Sequence, residues 1–239
     1  MNIQRELRDE EREFLVYCQT SKALLFSQDG FKLKSGRVTP RFFNAGQLLR
    51  TASWIQQVSQ MYVAGLLGNF SKDGVKIDVD FLYGPAYKWI PLAVSVGQNY
   101  FLKTGHDIWI STHRKETKDH GEWGKGLLMW VKGKRGIMID DVITAGTAFR
   151  QSIADVVSDG GHISWVQVLL DRKEVIGGAM IHTPRWERQS ALQEIEKTYQ
   201  ISVHAILDYW LVKKAIEEGI IGDLHIWDMM DRYQETYGV

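Results

Sequence analysis

With one cysteine in 239 residues, no intrachain disulfide is possible, and the chain fits a reducing compartment. Cys18 itself falls in the apolar run Phe14 to Cys18 of a predicted first helix, where a buried structural thiol is expected rather than a nucleophile. Excess charge of either sign is also missing: Lys and Arg total 29, Asp and Glu total 29. That balance argues against a general binder of nucleic acid or membrane surfaces, so any phosphate recognition must be local. No apolar run approaches the ~18 residues needed to span a bilayer, and the polar start MNIQRELRDEE lacks the apolar core of a signal peptide. The expectation is a soluble cytoplasmic protein. Two nucleotide motifs are absent as well. There is no G-x-x-x-x-G-K-[ST] loop, since Gly121 to Lys125 has the wrong spacing. No dinucleotide fingerprint occurs either, because Gly124 and Gly126 are followed by Leu127, Leu128 and Met129.

The segment GIMIDDVITAGTA, Gly136 to Ala148, is what the chain does have. Ile137, Met138 and Ile139 read as a buried parallel strand, and Asp140 and Asp141 stand at its carboxyl end, where open α/β sheets collect ligands. Two acids there can accept hydrogen bonds from vicinal hydroxyls or help hold a metal. Thr144, Ala145, Gly146 and Thr147 carry no bulky side chain, so backbone N–H groups can approach a phosphate. Phe149, Ile153, Val156 and Val157 then repeat at helical spacing, which puts the turn at a helix N-terminus, where an anion is favoured. An ordinary strand-to-helix turn with solvated acids is the alternative for the acid pair alone. Joined to the hydroxyl-rich turn, the pair reads as a site for a phosphorylated sugar.

A chain of this length fits one substantial domain. A charged helix is expected near residues 4 to 19, then short strands punctuated by Gly30, Gly36 and Pro40 that form a small β hood. A long helix should follow over 47–70. From Val79 onward strands and helices alternate: Val79 to Tyr83, a helix at 89–102, Asp107 to Thr112, the Ile137 strand, the Ala148 helix, Ile163 to Leu170 and Val203 to Leu207. Tyr209 to Tyr237 reads as two terminal helices, and Lys173 to Ser190 is the least regular stretch. This alternation predicts an α/β fold with a mostly parallel sheet flanked by helices.

Three further segments carry chemistry. RKETKDHGEWGKG sets Arg114, Lys115, Lys118, His120 and Lys125 against Glu116, Asp119 and Glu122, and its glycines suit a loop that folds over a diphosphate. In YGPAYKW, Gly84 and Pro85 break the chain after a strand and leave Tyr87 and Lys88 at the next helix start, where a lysine can bind phosphate as a point charge. KSGRVTPRFFNAG supplies Lys34, Phe42 and Phe43, and the LDR at Leu170 to Arg172 brings an arginine to another strand end, able to clamp a carboxylate. Read singly, each has a plain alternative: a solvated loop, a surface lysine, hood core, a surface arginine.

Taken together and in this order, the segments resemble the type I phosphoribosyltransferases, and within them the orotate phosphoribosyltransferases, over nearly the whole chain. The resemblance implies one domain over 1–239, with a hood at about 20–45 and a catalytic loop at about 114–126. It implies Lys118, Asp119 and His120 as catalytic residues. Phosphoribosyl diphosphate would be held by Lys34, Tyr87, Lys88, Arg114, Lys115, Lys118, His120, Asp140, Asp141, Val142, Ile143, Thr144, Ala145, Gly146, Thr147 and Ala148. Orotate would be held by Lys34, Phe42, Phe43, Thr144 and Arg172. It further implies Mg²⁺ carried mainly by substrate, possible contact with Asp140 and Asp141, and a homodimer whose catalytic loop serves the neighbouring subunit. Two residues depart from the family. Trp89 stands where glycine is usual, which predicts an altered diphosphate-loop backbone, and Trp123 interrupts the usual HGEGG, which predicts a less mobile catalytic loop. Two other readings stay open: a type I enzyme for a purine or other base, which should lack the FFNAG, RKETKDHGE and LDR set, and a non-catalytic phosphoribosyl-diphosphate sensor, which would need a nucleic-acid-binding element.

Overall fold

Ile137, Met138 and Ile139 are fully buried in β5 (Arg135–Asp140), the middle strand of a five-stranded sheet. The computed structural model describes all residues except 1–4, 34–35, 72–73, 75, 114–128, 144–146, 176–183 and 185–186, and leaves out the side chains of Thr147 and Ala148. The other strands are β3 (Phe81–Tyr83), β4 (Trp109–Ser111), β6 (His162–Asp171) and β7 (Ser202–Asp208), in the order β4-β3-β5-β6-β7. Every pairing is parallel. Strands buried on both faces need apolar residues in succession rather than in alternation, which is the pattern of FLY and IMI. Leu82, Ile137 and Ile139 enter one core with α1 (Asp9–Thr20), α2 (Ala52–Phe70), α3 (Ile90–Thr104), α6 (Tyr209–Glu217) and α7 (Leu224–Tyr237). Phe81, Tyr83 and Met138 face the other way, toward α4 (Thr147–Ser158) and α5 (Ala191–Tyr199). The predicted three-layer α/β arrangement is present.

The chain runs from β3 to one neighbour, β4, and then to the other, β5, so the strand order reverses at β3 and β5. Ligands of open α/β sheets bind at such a reversal, outside the carboxyl ends of the strands. Gly84 to Lys88 and Asp140 to Asp141 leave the sheet there. Above it, β1 (Leu24–Lys32) and β2 (Val38–Phe43) form the hood, a separate antiparallel pair whose register shifts between Phe26 and Phe31.

Several boundaries differ from the sequence reading. α1 starts at Asp9 because Glu11 accepts the Arg8 backbone N–H and bonds the Arg5 and Arg8 guanidinium groups, which fixes the helix start. The helix expected over 47–70 is two pieces, a 3-10 turn (Ala45–Leu49) and α2, because Thr51 accepts from the Trp54 N–H and caps a new start. α5 was not anticipated; its Ser190-to-Gln193 capping box and buried Leu192 and Ile195 are the signal that identifies it. On α4, Phe149, Ile153 and Val156 are buried as spaced, while Val157 is 56% exposed and faces outward. Cys18 is buried, and burial pushes its thiol well up, so it is not a thiolate.

Candidate active site

β5 delivers its two carboxylates on a backbone held from three sides. The Tyr62 hydroxyl of α2 donates to the Asp140 carbonyl at 2.6 Å, and the Leu169 and Leu170 N–H groups donate to the Asp141 carbonyl at 2.9 and 3.0 Å. The Asp141 N–H donates to Asp140 Oδ1 at 2.8 Å. Burial, reinforced by the neighbouring Asp141 carboxylate, pushes the Asp140 carboxyl up to about 8. Both acids are partly exposed at the carboxyl end of β5, and Asp141 meets a cation.

That cation is Lys88. Its Nζ lies 3.0 Å from Asp141 Oδ2 and 4.5 Å from the centre of the Trp89 ring. Trp89 is buried and adopts φ −97 and ψ 0, a conformation open to any L-residue, so the backbone here does not demand the family's glycine. Instead the indole supplies a face on which the ammonium rests. Gly84 is the glycine the loop does require, since a Cβ there would lie 2.7 Å from the Trp89 carbonyl oxygen and 2.7 Å from the Ala93 Cβ. The Ala86–Tyr87 peptide is cis, and Tyr87 is exposed. Val142 and Ile143 turn their side chains into the two cores, leaving their backbone as what they can offer a ligand. α4 begins at Thr147, so the motif is followed by the helix its spacing predicted.

Tyr83 ends β3, and its hydroxyl bonds His113 Nδ1, with the two rings stacked 6.0 Å apart. His113 lies 3.9 Å from Asp155 of α4 and is the last described residue before the expected catalytic loop. Arg172 follows β6, half-buried, and Phe42 and Phe43 end β2. Phe42 is exposed beside the Phe31 ring, whereas Phe43 packs against the main core. Lys34, Arg114, Lys115, Lys118, Asp119, His120, Trp123, Thr144, Ala145 and Gly146 lie outside the described residues, as do the side chains of Thr147 and Ala148. The structure thus joins Lys88, Asp140 and Asp141, places Trp89 beneath the Lys88 ammonium, and adds Tyr62, which sequence reasoning did not single out. Tyr62 reads in the sequence only as one more apolar position of a helix.

Among the described residues no group of three or more His, Cys, Asp or Glu gathers to hold a metal. Magnesium commonly keeps several waters and takes one or two carboxylates together with substrate phosphates, a mode that the Asp140–Asp141 pair fits.

No family model matches the chain. A crystal structure of orotate phosphoribosyltransferase from Francisella tularensis superimposes with a TM-score of 0.77 at 28% identity, covering 98% of this chain and 100% of that one. The hood, the parallel sheet and the acid pair at its reversal point define the class, the type I phosphoribosyltransferase fold. In sequence, the orotate phosphoribosyltransferase of Actinobacillus succinogenes is 36% identical over 233 residues, covering 98% of this chain and all of that protein. That of Hahella chejuensis is 36% identical over 237 residues, covering 98% and 99%. The chain belongs to the orotate phosphoribosyltransferase family and is accordingly a pentosyltransferase.

Proposed function

We propose that this chain transfers ribose 5-phosphate from 5-phosphoribosyl 1-diphosphate to N1 of orotate, releasing diphosphate and giving orotidine 5′-phosphate for UMP synthesis. The observation that carries the reading is Lys88 meeting Asp141 at the strand-order reversal, directly before the N-terminus of α4. A lysine beside the acid can move to a diphosphate while the acid accepts the ribose hydroxyls. Asp140 and Asp141 address the ribose, and Thr144 to Ala148 cradle the 5-phosphate at the helix start. Departure of the diphosphate leaves an oxocarbenium-like C1, so catalysis is mainly electrostatic: Lys88, Arg114, Lys115, Lys118 and His120, with Asp119 beside them, gather around the leaving group. Mg²⁺, held mainly by the substrate's oxygens with Asp140 or Asp141 nearby, would supply further positive charge. Lys34, Phe42, Phe43, Thr144 and Arg172 hold the base, the arginine fork meeting the carboxylate that distinguishes orotate from uracil.

The same reading makes 1–239 one domain and the active unit a homodimer. An exposed apolar stripe on α3 supports it: Val94 and Phe101 lie seven residues apart on one helix face, and Leu102 adjoins them at 73% exposure. Among the described residues no helix is long and apolar enough to cross a membrane, and a cytoplasmic location belongs to the proposal. Purified protein supplied with orotate, the diphosphate donor and Mg²⁺ should consume orotate, followed by its ultraviolet absorbance. No turnover beside an active control enzyme sinks the assignment.

A further inference from the structure

Arg41 sits on β2 directly before Phe42 and Phe43, and its side chain is 3% exposed. Its Nη2 donates to two acceptors, the Arg172 carbonyl oxygen at 3.1 Å and Glu174 Oε1 at 3.1 Å. The planar group lies over Tyr209, 5.0 Å from the ring centre. Glu174 is buried too, and its second oxygen accepts from the Tyr233 hydroxyl at 3.3 Å. Arg37, just ahead of β2 and in phase with Arg41, reaches the Val175 carbonyl at 3.3 Å. From α7 and beyond it, the Gln234 side chain and the Val239 N–H both donate to the Lys173 carbonyl, at 2.7 and 3.1 Å. The strip Arg172 to Val175 is therefore held between the hood and the last helix.

A buried arginine–glutamate pair is a poor device for stability alone, because apolar side chains of similar volume serve as well or better. What apolar side chains cannot do is fix two backbones in one register. Arginine suits that task, since its rigid fork binds acceptors at set angles and stacks on an aromatic face.

We propose that Arg41 is a positioning residue for base recognition, tying the hood segment that carries Phe42 and Phe43 to the main chain of Arg172 and so setting the width of the orotate slot between them. The proposal rests on the reading that these three residues hold orotate. A carboxylate clamp acts only within a narrow tolerance of position, so a fraction of an ångström of drift weakens base binding while leaving the diphosphate side of the site alone.

Steady-state kinetics with each substrate varied separate the possibilities. Arg41→Lys and Glu174→Gln should each raise the KM for orotate about tenfold, with the KM for the diphosphate donor within about twofold of the wild type. Tyr233→Phe removes only one hydroxyl and leaves the packing in place; it should move the orotate KM in the same direction by about two- to threefold, and serves if the other variants fail to fold. Arg172→Ala is the reference. If it raises the orotate KM while the Arg41, Glu174 and Tyr233 variants leave that KM unmoved, or shift both substrates equally with a lower melting temperature, Arg41 is merely structural and the proposal falls. If Arg172→Ala itself leaves the orotate KM unchanged, the base-site reading is what fails, and the proposal falls with it.

Discussion

Asp140 shows how position sets the chemistry of a single side chain. In the unfolded chain its carboxyl titrates near 3.8, and in the fold burial and the adjacent Asp141 carry it to about 8. Between those values the folded protein holds a proton that the unfolded chain has released, so stability falls as pH rises through that window. Asp140→Asn abolishes the titration. The melting temperature of the substrate-free variant should exceed that of the wild type by more at pH 8 than at pH 5, while turnover drops; an equal difference at both values contradicts the shift. The acids were legible in the sequence only in company: alone they read equally as solvated turn residues, and the hydroxyl-rich turn and helix that follow gave them a ligand. The way the pair is mounted was not, since its backbone is held by Tyr62 and by two amides of β6 that arrive from distant parts of the chain.

At the level of elements, the loop between β3 and α3 is shaped by contact between backbones. Gly84 passes so close to the Trp89 carbonyl that alanine there forces the turn open. Gly84→Ala should cost about 1–3 kcal/mol, read as a lower midpoint in urea, and should weaken donor binding, because Lys88 hangs from the same turn. An unchanged midpoint and an unchanged donor KM would show that the turn has slack. The sheet was readable because FLY, IMI and the apolar part of HISWVQVLLD are apolar runs of strand length. The break between the 3-10 turn and α2 was not, since apolar spacing continues across it and only the Thr51 cap marks the new start. For α5 the mark is present, a serine three residues before a glutamine, but that serine closes the irregular stretch 173–190, where a lone S-x-x-Q is a weak signal.

For the whole molecule, the proposed sharing of active sites between subunits allows a stringent test. Mixing a Lys118→Ala protein with an Asp141→Asn protein, each nearly inactive alone, should restore about a quarter of wild-type activity once subunits exchange, because half the dimers are mixed and each holds one intact site. No recovery after verified exchange would place the loop in its own subunit's site. The proposed dimer leaves only a faint trace in the sequence, since Val94 and Phe101 are unremarkable letters until α3 sets them on one exposed face. The hood carries a different consequence. β1 and β2 leave the ribosome early, yet they pack on α7, and Arg41 and Arg37 reach for residues 172–175, which α7 also grips. Such contacts between distant parts of a chain form late. A nascent chain can therefore assemble its sheet before the hood is fixed, and on the proposed reading of the base site it becomes able to recognise orotate only when the final helix docks.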